Sequence, residues 1–338
     1  MGIYQKIKDL PAEMQKMGFF HEDENQEVLV GVLKDTPDPR DYEYKATEAP
    51  STLPSKVDLR RWAGEIEDQL TTGSCVANAT VSSLELLANK TVPNFQKGDK
   101  DKIDLSRLFV YWNIREPYSR LRGKDSGAYL RDGFKSVNKL GVPEEKEWDF
   151  DLQKVNIKPP QIVYEKAKQN KVLEYRRIYH RDLHAIKDAI YKGFPVIFSA
   201  ALGSRFMSLD GPLENQKYGP VNSWSNKLIG YHAMNIVGYD DKLQGFIIEN
   251  SWGENWGDNG YCLFPYTAMV RDSIDVWVCT KFKFYDEEVK PEPEPDPKPE
   301  PDPKPEPKVE KQFTEDEVKT LKTMIKYFKD FLKFIKGM

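Results

Sequence analysis

The chain has 338 residues, 39% of them hydrophobic and 12% aromatic, with 50 basic and 54 acidic side chains. That is an ordinary composition for a globular enzyme with one large core or two modest ones. The near balance of charge offers no basic stretch for nucleic acid and selects neither acidic nor basic substrates. Neither a signal-peptide run nor a membrane-spanning run is present. These features predict a cytoplasmic chain, or one packaged in a virus-like or other protein assembly.

Residues 1–53 read as an extension ahead of the main domain. Ile7, Leu10, Met14 and Met17 fall at helical spacings. An apolar run, Val28 to Leu33, and a turn-rich stretch, Asp35 to Asp41, follow. From 54 to 285 the composition is that of a globular domain.

The helix predicted to start at Cys75 carries Val76, Thr80, Leu84 and Leu87 on one side. At a helix N-terminus the macrodipole favours a thiolate, the form that attacks carbonyls. Gln69 lies six residues upstream in a turn-rich loop. Its side-chain amide is placed to donate, with the Cys75 N–H, to a developing oxyanion.

A nucleophilic cysteine needs a base. His180 and His184 share a spacing of four with only Asp182 between them, which is too few ligands for a metal; a solvated helix start is expected there. His232 is the better candidate, because it opens the strand-like run His232-Ala-Met-Asn-Ile-Val-Gly-Tyr239. A second strand, Gly245 to Asn250, ends on a polar residue before the Trp/Gly-rich loop Ser251 to Tyr261. That suits Asn250 to fix the imidazole tautomer. Three cysteines make no disulfide framework and are compatible with a reducing compartment. Cys262 and Cys279 read as packed thiols in strands, with a bridge between them left open.

From Pro291 to Pro307 proline takes every second position. Residues 286–312 therefore read as an extended polyproline II linker. Residues 313–338 read as an amphipathic helix. Thr314 and Glu317 form its capping box, and Val318, Leu321, Ile325, Phe328, Leu332 and Ile335 form its apolar stripe. Self-association or docking on a protein assembly is expected of this helix ahead of binding at a membrane surface.

Gln69…Gly73-Ser74-Cys75, His232 with its Val-Gly-Tyr strand, and Asn250-Ser-Trp-Gly253…Trp256-Gly…Gly260-Tyr261 together resemble the three signature blocks of the papain family of cysteine peptidases. The resemblance covers about residues 54–285. It implies an α+β fold of two lobes, one helical and one β-barrel-like, with the substrate cleft between them. It also implies that Cys75 is nucleophile, His232 base, Asn250 orienting residue and Gln69 oxyanion donor, with Trp252 shielding the His232–Asn250 pair. Ser126, Gly127 and Ala128 fall where the family's glycine-rich wall meets the substrate backbone. Peptide hydrolysis through a thioester follows, with a protein or peptide substrate and without metal or organic cofactor.

The sequence departs from the family at Val76, Leu70, Thr72 and Tyr231. Tryptophan, glycine, a half-cystine and an acidic or amide residue are usual at those positions. These departures favour a divergent bacterial or viral branch. Two other functions compete: a binding or structural protein on the same scaffold, tethered through the C-terminal helix, and a cell-wall amidase. Residues 1–53 are expected either to cover the cleft before activation or to form a permanent strap, with the strap favoured for most of the segment.

Overall fold

The structure, a computed structural model, describes residues 31–92, 102–221, 223 and 226–284, all within one compact unit. The expected helix near residues 7–17, the proline-rich linker and the C-terminal helix lie outside the described residues.

The architecture is α+β. Helices α1 (Cys75–Asn89), α2 (Arg107–Arg115), α3 (Leu130–Leu140) and α4 (Gln161–Ala167) come mainly from the first half. The second half supplies α5 (Leu183–Tyr191), α6 (Ser204–Met207), α7 (Tyr266–Asp272) and most of one antiparallel sheet. Its strands are β2 (Lys56–Asp58), β4 (Lys171–Ile178), β5 (Val196–Gly203), β6 (Leu228–Asp240), β7 (Gly245–Glu249), β8 (Tyr261–Pro265) and β9 (Ser273–Lys283). They run in the order β4-β9-β5-β6-β7-β8, with β2 added to β6. Two short parallel strands, β1 (Val32–Leu33) and β3 (Ala128–Tyr129), form a separate ladder.

The expected barrel-like lobe is an open sheet, with β4 and β8 at its two edges. The β4 edge is covered rather than closed. Tyr44 N–H donates to Arg177 O and Arg177 N–H to Tyr42 O, each at 2.8 Å. Capping an exposed edge with another segment satisfies its backbone groups without barrel closure.

Alternation along the strands divides the interior in two, because successive side chains point to opposite faces. Val196, Phe198, Met234, Val276 and Val278 face a core shared with α5 and α7. Ile197, Ala233, Trp277 and Cys279 face a second core shared with α1, α2 and α3. The possible Cys262–Cys279 bridge is therefore not formed: both thiols are free and buried, and they belong to opposite cores. Asp182 spends its side chain capping α5, accepting from Ala185 N–H at 2.9 Å, which suits a helix start rather than a metal ligand.

Candidate active site

The loop before α1 is fixed from several directions. Thr72 Oγ1 donates to Gln69 O at 2.7 Å and contacts Ser74 Oγ at 2.7 Å. Asp125 accepts from Gly73 N–H at 2.7 Å and from Tyr111 Oη at 2.6 Å, tying this loop to the opposite wall. Leu70 sits in the left-handed region at φ 51°, the position where the family's usual glycine would be at ease. Thr72 shows that a hydroxyl can replace the missing half-cystine as a local brace.

Cys75 opens α1 and is fully buried. Burial pushes its thiol up to about 11, opposed by backbone hydrogen bonds from Ala233, Gly31, Val76 and Cys75 itself. His232 is central in β6, paired with Ala200 of β5, and is also fully buried. Its Nε2 lies 2.7 Å from Asn250 Oδ1. An amide oxygen only accepts, so the proton is on Nε2 and the lone pair on Nδ1. Nδ1 has no hydrogen-bond partner. Burial lowers the imidazole to about 4 against the smaller opposing effect of Asn250. The Trp252 ring lies over His232, with centroids 4.8 Å apart and planes 31° apart. Both charge carriers are thus held neutral at pH 7 in this state.

Gln69 is buried, with Nε2 donating to Thr72 O at 2.8 Å and Oε1 accepting from Ser251 Oγ at 2.7 Å. Gln69 N–H donates to Ser251 O at 2.9 Å, and Gly253 N–H to Glu67 O at 2.9 Å. A short antiparallel bridge thereby joins the Gln69 loop to the segment carrying Asn250 and Trp252. Gln69, Cys75, His232 and Asn250 are all buried, and the half-buried Trp252 lies over the His232 ring.

The glycine wall has an occupant. Ala128 N–H donates to Gly31 O at 3.0 Å, and Val32 and Leu33 pair in parallel with Ala128 and Tyr129. Gly31 is squeezed between two backbones. A Cβ on it would meet Gly73 O at 2.5 Å, while a Cβ on Gly127 would meet Gly31 O at 2.5 Å. Gly127 has φ +74°, which independently favours glycine. Ser126 stands apart, half-buried, with its hydroxyl toward Lys124 O at 3.5 Å.

Beyond the wall the strap is anchored by Asp35. Its carboxylate accepts from Trp277 Nε1 at 2.9 Å and from Arg131 N–H, while its own N–H donates to Asp275 Oδ2 at 2.9 Å. Burial, then the neighbouring Asp275 carboxylate, raises Asp35 to about 7. Arg131 also binds Asp41, and Arg177 binds Asp275. The sequence offered Asp35 only as a turn residue, and Asp125 drew no attention; their partners lie far away in the chain.

One cluster of acids, Glu67, Glu85 and Asp104, has the spacing of a metal site. Arg107 supplies the positive charge there, 2.7 Å from Glu67 and 3.5 Å from Glu145. No described helix is long and apolar enough to cross a membrane.

Comparison with known proteins gives a consistent result. The sequence profile described as "Papain family cysteine protease" matches residues 53–274. A peptidase C1-like protein of Acanthamoeba polyphaga mimivirus is 34% identical over 278 residues, covering 73% of this chain and 85% of its own. Peptidase 1 of Psoroptes ovis is 27% identical, and the match covers 63% of this chain and 61% of that protein. Among solved structures, xylellain, a cysteine protease from Xylella fastidiosa, superposes with a TM-score of 0.65 at 30% identity, over 79% of this chain and 100% of its own. Digestive procathepsin L 3 of Tenebrio molitor shares the fold at a TM-score of 0.54 and 18% identity, over 80% and 88% of the two chains.

Proposed function

Because this chain belongs to the papain family of cysteine proteases, we propose that it is an endopeptidase working through Cys75, His232, Asn250 and Gln69, and that residues 31–35 hold it closed at rest. The observation that carries the chemistry is the His232 Nε2–Asn250 Oδ1 bond beneath Trp252. It leaves Nδ1 as the free base in the cluster that includes Cys75.

Displacing the strap returns water to both groups. The burial that holds the thiol up and the imidazole down is then relieved, and the Cys75 proton passes to His232 Nδ1. The thiolate attacks the scissile carbonyl. Gln69 Nε2 and the Cys75 N–H bind the oxyanion, and His232 returns its proton to the leaving amine nitrogen, giving a thioester. Water then loses a proton to His232, attacks the thioester and releases the acid, and Cys75 regains its proton. Asn250 keeps the imidazole in the required tautomer throughout. The protein's substrates are proteins or peptides, and each step uses groups of this chain and water.

The resting closure rests on Gly31. Its O accepts from the wall, its N–H meets the Cys75 sulfur, and Val32 and Leu33 are 1% exposed. The test uses the full chain carrying Gly31→Ala, with an unfolded protein as substrate. Hydrolysis is expected, and so is labelling of Cys75 by an epoxide thiol reagent. Both should vanish on adding Cys75→Ala. Neither hydrolysis nor Cys75 labelling in the Gly31→Ala chain would overturn the reading.

A further inference from the structure

Behind the catalytic asparagine lies a small polar cavity of about 10 Å³, lined among others by Asn78, Ser82, Asn235, Glu249 and Asn250. That is the room needed by a single water. Two buried polar atoms of its lining have no partner: Asn250 Nδ2 and Asn235 Oδ1. Asn235 is 1% exposed and Asn250 3%. The remaining polar atoms are engaged. Asn235 Nδ2 donates to Ser82 Oγ at 3.0 Å, Ser82 Oγ donates to Glu249 Oε1, and Tyr261 Oη reaches Glu249 Oε2 at 3.4 Å.

One unpaired donor and one unpaired acceptor facing the same small space select the occupant. A cation would satisfy Asn235 Oδ1 but would be repelled by the Asn250 NH₂. A water satisfies both, accepting from Asn250 Nδ2 and donating to Asn235 Oδ1. If its second proton goes to the Glu249 carboxylate, the water presents only lone pairs to Asn250.

We infer that Asn235 is a positioning residue for the catalytic pair: it holds one buried water that receives Asn250 Nδ2, and so keeps Asn250 Oδ1 turned to His232. The inference rests on the peptidase reading for its relevance, but not for its test. An amide turned the other way would set its NH₂ against the His232 Nε2 proton and its oxygen against the water's lone pairs. Both contacts would be repulsive. The strand register supports the arrangement, since Asn235 pairs directly with Glu249, the residue before Asn250, across β6 and β7. Asn235 therefore acts on the imidazole from three residues along its own strand, through the neighbouring strand and a water.

The test uses the full chain. In the wild type, nitrogen NMR of His232, assigned by comparison with His232→Gln, should show a single Nε2–H tautomer whose proton exchanges slowly. Asn235→Leu fills the cavity with methyl groups and expels the water. It is expected to give mixed tautomers and exchange faster by about tenfold or more. Asn235→Ala leaves room for a second water and should retain the Nε2–H tautomer. A merely structural role for Asn235 would lower the melting temperature in both variants and leave the tautomer alone.

Unchanged tautomer and exchange in Asn235→Leu would overturn the inference. If that variant does not fold, the smaller Asn235→Val is read in the same way. A high-resolution crystal structure of the wild type decides independently. Density within hydrogen-bond distance of both Asn235 Oδ1 and Asn250 Nδ2 supports the inference, and a dry cavity overturns it. None of these readouts needs hydrolysis. A Gly31→Ala chain with a single His232 tautomer but no reactivity at Cys75 would sink the peptidase reading and leave the positioning result standing.

Discussion

Replacing Gly31 by alanine adds one methyl group where the strap crosses the nucleophile. Its Cβ would lie 2.5 Å from Gly73 O, 2.9 Å from Gly73 Cα and 3.0 Å from Gly73 C, all backbone atoms. Gly73 has little freedom to yield, because Asp125 holds its N–H. Retreat in the other direction meets Gly127, whose α-carbon faces Gly31 O. The strap must therefore lift.

Overpacking of this kind costs about 1–3 kcal/mol. Losing the Ala128 N–H to Gly31 O bond adds about 1 kcal/mol. Against this, burial of Val32 and Leu33 stabilises the strap by roughly 3–6 kcal/mol, before the entropy of ordering it is subtracted. A loss of about 2–4 kcal/mol raises the open fraction by roughly 30- to 1000-fold. Alkylation of Cys75 follows that fraction if reclosing outpaces labelling.

The assay is iodoacetamide labelling of the full chain, read by mass spectrometry at each cysteine. Cys262 and Cys279 are fully buried in separate cores and serve as internal controls. Acceleration confined to Cys75 is expected. A Gly31→Ala chain labelled at Cys75 as slowly as the wild type would refute the reasoning. So would equal acceleration at all three thiols, which would mean general unfolding.

Four further outcomes are expected. Asp35 is raised to about 7 in the closed state against an ordinary value of 3.8. Its contribution to strap closure is thus complete below pH 3.8 and lost as pH rises through 7, by at most about 4 kcal/mol. Asp35→Asn imitates the protonated acid, so above pH 7 its Cys75 should label more slowly than wild type, with the two converging near pH 4. Equal labelling rates at pH 8 would count against an Asp35 latch. His232 has the opposite sign: lowered to about 4 from 6.5, it favours closure above pH 6.5 and loses that effect as pH falls toward 4. In the Asp35→Asn chain, labelling of Cys75 relative to its intrinsic thiolate content should therefore increase on acidification through that window. Leu70→Gly removes a left-handed leucine, and calorimetry should show a gain of up to about 1 kcal/mol; a fall in melting temperature would contradict this. In the Gly31→Ala background, Gln69→Ala should lower kcat by about 10²-fold with little change in KM. Ser251→Ala, which removes the Ser251 Oγ donor to Gln69 Oε1, should fall between; an unchanged kcat in Gln69→Ala would remove Gln69 from the oxyanion site.

The parts of this molecule readable from sequence are those whose cause is local. Cys75 begins a helix because a tight loop is followed by small residues that pack, and His232 stands on a strand whose apolar alternation is visible in one line. The Asn250-Ser-Trp-Gly block marks its own turn. What escaped is long-range. Nothing near Gly31 shows that it will meet Gly73 and Gly127, and Asp35 finds Asp275 and Trp277 only after the sheet has formed. A strand pattern also does not reveal whether the sheet will close, and here residues 42–44 cover the edge that a barrel would have joined. Asn235 looked like one polar residue in an apolar strand. Its meaning depends on Glu249 and Asn250 arriving from the neighbouring strand.

The division of β5, β6 and β9 between two cores has a thermodynamic consequence. A residue such as Ile197 lies in one core while its chain neighbours Val196 and Phe198 lie in the other. Neither core can melt without removing the backbone that the other is built on. The described body should therefore unfold in a single transition, with calorimetric and van't Hoff enthalpies that agree. Strap opening, which withdraws Val32 from the core of Ile197 and Trp277 but leaves the strands of both cores in place, would be a separate event of much smaller enthalpy.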